Sequence, residues 1–167
     1  MVISVDELKK YITSEIGIEE DQIQINGIDL RVDKIYEILT FGTLFREEVK
    51  LPSYKEIIPE KVNDKYVFFL QEGVYILEFF EIIEVPSDAI GICFPRSSLL
   101  RMGCDIRTAL WDSGYRGKSR VLLVVHKRVA IEKGARVAQI VFLRTESKAE
   151  KLYKGKYQNE GISKALQ

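Results

Sequence analysis

Apolar residues recur at helical spacing most clearly near the start of the chain. Val5, Leu8, Tyr11 and Ile12 share one face of a helix predicted over Val5–Ser14, with Ser4 placed to cap it and Glu7 three residues on. After Gly27 the pattern changes to short runs rich in Val, Ile and Phe, broken by turn residues. Tyr66–Leu70 and Val74–Val85 read as strands joined at Gln71-Glu72-Gly73, followed by Ile90–Phe94, Arg120–His126 and Val137–Leu143. Strands at this spacing, with no long helices between them, predict an all-β sandwich or barrel behind a short N-terminal helix. No internal repeat or low-complexity linker divides the chain, so residues 1–167 read as a single domain. The polar segment 146–167 reads as a tail that stays mobile until something binds it.

Composition narrows the partners. The chain has 167 residues, 46% of them apolar, enough for a real core. Lys+Arg and Asp+Glu both number 25, so no global basic field points to nucleic acid and any anion site must be local. The apolar runs are too short to span a bilayer, and Met1–Ile12, with Asp6, Glu7, Lys9 and Lys10, does not read as a signal peptide. Two unpaired cysteines, Cys93 and Cys104, fit a reducing compartment, and the cytoplasm is the expected location.

Several chemistries drop out. Cys93, Cys104 and the single histidine, His126, do not make the ligand set of a zinc-dependent deaminase. His126 ends an apolar strand and reads as structural rather than as a triad member. Asp112–Ser119 ends like a P-loop but lacks its first glycine and its strand-to-helix setting.

Two strings carry positive chemistry. Pro95-Arg96-Ser97-Ser98 follows a strand that proline would end, and its guanidinium and hydroxyls suit phosphate oxygens. Arg101 joins that set if the stretch coils into a helical turn. Trp111-Asp112-Ser113-Gly114-Tyr115-Arg116-Gly117 reads as a tight turn in which backbone amides hold the Asp112 carboxylate ready to orient and deprotonate a water. Tyr115 offers a flat surface for a sugar ring.

These strings, with Gly27-Ile28-Asp29-Leu30-Arg31, Gly134-Ala135-Arg136-Val137-Ala138-Gln139 and Tyr153-Lys154-Gly155-Lys156-Tyr157-Gln158, resemble in order the motifs of the dUTPase and dCTP deaminase superfamily. The resemblance covers nearly the whole chain. It implies a mainly antiparallel distorted β-barrel or jelly-roll-like sandwich, a homotrimer with active sites between subunits, and Mg²⁺ held chiefly by the substrate's triphosphate. It implies that Arg96, Ser97, Ser98 and Gln139 contact phosphates with Arg101 nearby, and that Tyr153 and Lys156 close over them from the tail. It also implies that the base lies against the backbone from Cys104 to Trp111, and that Tyr115 packs on the deoxyribose and excludes a 2′-hydroxyl.

Within the superfamily, dCTP deaminases carry a catalytic glutamate ten residues beyond the aspartate that matches Asp112. Here that position is Leu122, and Ser119–Val125 contains no carboxylate. Without that proton shuttle the expected reaction is hydrolysis of dUTP, with Asp112 as base, on a deaminase-like frame resembling the archaeal dUTPase group. A deaminase, alone or bifunctional, would need a carboxylate from elsewhere. A non-catalytic nucleotide-binding protein is the alternative from another class, against which Asp112 and Tyr115 together with the phosphate set argue. Trp111 replaces the usual aliphatic residue before the aspartate and is expected to pack in the core rather than line the base pocket. Glu160 stands where many deaminases have glutamine, and Arg120, among apolar strand residues, faces either a trimer channel or a phosphate.

Overall fold

The computed structural model describes residues 1–162. The last five positions of the expected tail lie outside the described residues. A short helix α1 (Val5–Leu8), β1 (Ile12–Thr13) and a 3-10 turn at Glu20–Gln22 lead into the long β2 (Ile28–Ile38). Four short strands follow: β3 (Thr43–Leu44), β4 (Val49–Lys50), β5 (Tyr54–Ile57) and β6 (Glu60–Val62). Then come β7 (Lys65–Leu70), β8 (Gly73–Phe79), β9 (Ile82–Glu84) and β10 (Ala89–Pro95), the last running into α2 (Ser97–Arg101). The remaining strands are β11 (Cys104–Arg107), β12 (Arg116–Gly117), β13 (Arg120–Val125), β14 (Val129–Glu132) and β15 (Arg136–Arg144).

The main sheet runs in the order β10-β15-β2-β8-β13-β11, with β5 added beside β2, and its strand pairs are antiparallel. Its two edges nearly meet. Just beyond β11, Trp111 exchanges backbone hydrogen bonds of 2.9 and 3.2 Å with Gly91 of β10. A side chain at Gly91 would press within 3.1 Å of both Trp111 and Phe142, so glycine lets this seam close. The result is the mostly antiparallel, nearly closed barrel that the strand spacing predicted. Alternation fills it: in β13, Val121, Leu123 and Val125 point inward, while Arg120, Leu122 and Val124 share the opposite, partly exposed face.

Three sequence expectations change in detail. The helix stops at Leu8, and Ile12 is buried through pairing with Ile83 of β9 rather than on a helical face. Ser4 holds the N-cap position without a side-chain capping bond, and Glu7 pairs with Arg144 instead. The run Val74–Val85 is split at Phe80–Glu81. There Glu81, fully buried, accepts from the Nε and backbone N–H of Arg31, both at 2.8 Å, and from Gln22 at 2.9 Å. Burial pushes the pKa of Glu81 up against the pull of Arg31 and Gln22, so its charge depends on keeping these partners. Strand Lys65–Leu70 pairs with β14 and β6 rather than with the strand that follows it.

Candidate active site

The seam that closes the barrel also builds the Asp112 turn. Ser113 donates from Oγ to the carbonyl of Ala89 on β10 at 2.7 Å, and the Gly114 N–H donates to Val85 at 2.9 Å. Gly114 sits at φ +84°, where an L side chain is strained, and a Cβ there would lie 2.8 Å from the Leu152 Cβ. Beneath the turn, Trp111 Nε1 donates to Ser119 Oγ at 2.6 Å, and that oxygen also bonds Tyr115 OH at 2.8 Å. All three side chains are buried, and burial raises the Tyr115 pKa to about 12, so its hydroxyl stays protonated. Trp111 therefore both packs in the core and faces a cavity.

Asp112 itself is exposed. Its carbonyl accepts the Tyr115 N–H at 3.0 Å, but none of the hydrogen bonds among the described residues involves its carboxylate. The backbone amides expected to hold that carboxylate are used elsewhere: Gly114 on Val85 and Tyr115 on the Asp112 carbonyl. What the turn presents is a carboxylate with open lone pairs on a rigid support.

Asp112 borders a cavity of about 490 Å³ lined by Trp111, Tyr115, Tyr153, Tyr157, Arg120 and Glu160 among others. Arg120, left open between two roles by the sequence, contributes to this wall. Its Nε donates to Glu78 at 2.7 Å, and its guanidinium lies 4.7 Å from the centre of the Tyr36 ring. The segment Tyr153–Ile162 is seated on the turn. Tyr153 meets Tyr115 edge-on at 5.5 Å and donates its N–H to Ser113 at 2.9 Å. Gln158 bonds Gly114 and Arg116, Asn159 donates to the Arg116 carbonyl, and Glu160 accepts from the Lys118 N–H. Lys156 is exposed, its Nζ 4.9 Å from the Tyr157 ring centre.

Of the expected phosphate set, Arg96 and Gln139 meet in a second cluster, at Asp29, whereas Ser97, Ser98 and Arg101 have no contact with it among the described residues. Pro95 ends β10, and the stretch after it does coil into α2, with Leu99 buried and Ser97, Ser98 and Arg101 exposed. Arg96, at the start of α2, reaches back to Asp29 of β2, as Gln139 does from β15. This cluster does not line the cavity. The Asp112 turn is fixed to Ala89 and Gly91 of β10, and Arg96 lies five residues after Gly91, just past the end of that strand. At ~3.3 Å per residue, the Arg96 backbone is about 17 Å along the chain from Gly91, and Gln139, paired opposite Phe94, about 10 Å.

Residues 2–145 match the dCTP deaminase-like family. The chain belongs to that family. A "deoxyuridine 5'-triphosphate nucleotidohydrolase" of Methanocaldococcus jannaschii is 39% identical over 161 residues, spanning 93% of this chain and 100% of that protein. A "probable deoxyuridine 5'-triphosphate nucleotidohydrolase" of Aeropyrum pernix is 39% identical over 149 residues, 87% of this chain and 91% of that one. A crystal structure of the 2'-deoxycytidine 5'-triphosphate deaminase of Agrobacterium tumefaciens superposes with a TM-score of 0.64 at 19% identity, over 84% of this chain and 47% of that one, and so speaks to fold alone.

Leu122, where the sequence resemblance leads one to look for a deaminase glutamate, lies on β13 and pairs with Ile76 and Arg107. Sequence reasoning missed Ser119, whose hydroxyl joins Trp111 to Tyr115, and it assigned no role to Asp29 or Arg136. Asp29 stood within the Gly27–Arg31 string, and a carboxylate in an apolar β run was the available signal. Ser119 left no such signal.

Proposed function

We propose that the chain hydrolyses dUTP to dUMP and pyrophosphate, with Mg²⁺ on the triphosphate, as a homotrimer whose active sites lie between subunits. The observation that carries this reading is Asp112, a carboxylate with open lone pairs beside an aromatic cavity, on a turn locked by the Trp111–Ser119–Tyr115 bonds. Two relatives 39% identical over most of the chain, named as nucleotidohydrolases of deoxyuridine triphosphate, support the substrate.

Asp112 takes a proton from a water whose oxygen bonds to the α-phosphorus. The bridging P–O bond to the β-phosphate breaks, and its electron pair leaves with pyrophosphate. Attack needs the reacting atoms within ~3–3.5 Å. None of Arg96, Ser97, Ser98 and Gln139 of the same chain lines the cavity that Asp112 borders, so on this reading the phosphate donors of that site come from elsewhere. A second copy supplies them. Leu44 and Phe45, exposed on the β3–β4 hairpin, and Phe41, exposed just before it, offer such copies apolar surface to bury. Arg96, Ser97, Ser98 and Gln139 present donors rather than anionic ligands, which fits an ion carried by the substrate. When bound, Mg²⁺ neutralises charge on the phosphates. Tyr115 packs on the deoxyribose, and Tyr153 and Lys156 close the site from the tail.

Incubation with Mg²⁺ and dUTP, dCTP or dTTP separately, resolving pyrophosphate, dUMP and ammonia, tests this. Pyrophosphate and dUMP from dUTP are expected. Ammonia from dCTP would overturn the hydrolase assignment and direct attention to Glu160, a second carboxylate on the cavity wall.

A further inference from the structure

We propose that Gln158 is a positioning residue whose carboxamide ties the tail to the backbone of the Asp112 turn, so that seating the tail and fixing the proposed base are one event; this rests on the hydrolase reading above. Gln158 Nε2 donates to the Gly114 carbonyl at 2.9 Å, and its Oε1 accepts the Arg116 N–H at 3.0 Å. One side-chain amide thus meets an acceptor and a donor of the main chain two residues apart, as the backbone of a parallel neighbouring strand would. The chain continues in that sense, because Glu160 forms a parallel bridge with Gly117.

The turn is held from two sides. On the barrel side, Ser113 Oγ donates to Ala89, the Gly114 N–H donates to Val85, and the Tyr115 carbonyl accepts the Val85 N–H at 2.8 Å. On the tail side, the Ser113 carbonyl accepts the Tyr153 N–H, the Arg116 carbonyl accepts the Asn159 N–H at 2.7 Å, and the Lys118 N–H donates to Glu160 at 2.8 Å. With the two Gln158 bonds, five backbone groups between Ser113 and Lys118 are met by the tail. The close fit needs glycine. A Cβ at Gly117 would lie 3.2 Å from the Glu160 nitrogen, and one at Gly161 would lie 2.8 Å from the Lys118 Cβ.

This bears on Asp112 because its carboxylate makes no hydrogen bond of its own among the described residues, so the backbone that carries it sets its position. With the tail away, residues 113–118 become an edge held from the barrel side alone, and the carboxylate inherits their motion. Gln158 supplies two of the five tail-side bonds and spans Tyr115, whose own N–H closes the turn on the Asp112 carbonyl at 3.0 Å. Lys156, by contrast, is exposed and makes no bond to the turn. The tail therefore has two separable tasks, covering the phosphates and bracing the base.

The test compares wild type, Gln158→Met and Lys156→Ala, measuring steady-state pyrophosphate release from dUTP and amide hydrogen exchange of the free protein. Gln158→Met keeps the length of the side chain without its donor and acceptor, and leaves the three tail bonds made by backbone groups. It is expected to lower kcat about tenfold, since small misplacements of a reacting group are costly, with KM changed less than about threefold. Exchange of the Tyr115 amide is expected to quicken at least tenfold, while the core Leu123 amide keeps its wild-type rate. Lys156→Ala is expected to raise KM and to leave the Tyr115 amide protected. A raised KM with unchanged kcat in Gln158→Met would reduce the residue to part of a lid and overturn the proposal. Equal acceleration at Leu123 would mark a merely structural role and overturn it as well. Should Gln158→Met release the whole tail, seen as lost protection of the Tyr153 amide, the Tyr115 amide still decides: if it stays protected, the turn needs no brace. Quickened Tyr115 exchange in a protein that releases no pyrophosphate from dUTP would support the brace and sink the hydrolase reading.

Discussion

Replacing Ser119 by alanine isolates the support beneath the candidate base. The change removes one oxygen and leaves two buried groups, Trp111 Nε1 and Tyr115 OH, without the acceptor and partner they share at 2.6 and 2.8 Å. A buried polar group stripped of its partner costs ~1–3 kcal/mol, so two give roughly 2–4 kcal/mol once relief of the serine's own desolvation is allowed for. Ser119 has φ +28°, and alanine tolerates that conformation about as well as serine, so backbone strain does not confound the result. For a chain of this length, ~1 kcal/mol shifts the melting temperature by about 2–4 °C, which predicts a fall of roughly 5–15 °C. Trp111 and Tyr115 flank Asp112, and a displacement of the turn by about 1 Å would lower kcat for dUTP by up to ~100-fold. Calorimetry with steady-state pyrophosphate release measures both. A loss below ~0.5 kcal/mol with unchanged kcat would refute the argument that this hydroxyl holds the site.

Three further expectations follow from the geometry. Asp112→Asn should bind dUTP with little change in affinity yet lose most turnover; near-normal kcat would remove Asp112 as the base. Glu81→Ala leaves Arg31, 2% exposed, without its main counter-charge and should destabilise by ~3–5 kcal/mol in chemical denaturation; a loss under ~1 kcal/mol would mean that Glu19 suffices to pair Arg31. Burial raises the Glu160 pKa in the seated tail, against the pull of Arg120, so the seated form keeps a proton that the released form gives up. Seating is then fully supported below the ordinary carboxylate range and weakens as pH rises through the raised value. Hydrogen-exchange protection of the Asn159 amide should fall over that window, and Glu160→Gln should abolish the fall; protection that rises with pH would contradict the sign.

How much of this was legible depends on the range of each interaction. The long strands announced themselves through alternation, because a strand buried on one face repeats every two residues, as Val121, Leu123 and Val125 do. The helix was overread because Leu8 and Ile12 fit helical spacing, whereas Ile12 owes its burial to Ile83, 71 positions away. The split at Glu81 leaves no local trace in the sequence because its cause, Arg31, is 50 positions away. Two- and three-residue strands such as β3 and β6 carry too few positions to show a period. At the site, local turn chemistry pointed to Asp112, Gly114 and Tyr115. The anchoring of Arg96 and Gln139 by Asp29 and the bracing of Trp111 by Ser119 arise only where separate strands converge, and a linear string does not encode them visibly.

The Gly91–Trp111 seam has a consequence for biogenesis. Asp112 is the next residue after the last backbone contact needed to join the sheet's two edges. A nascent or partly unfolded chain with that junction open has no organised turn and no proposed base in place. Turnover of dUTP would therefore register only molecules whose barrel has closed, and activity becomes a count of completed folds rather than of chains made.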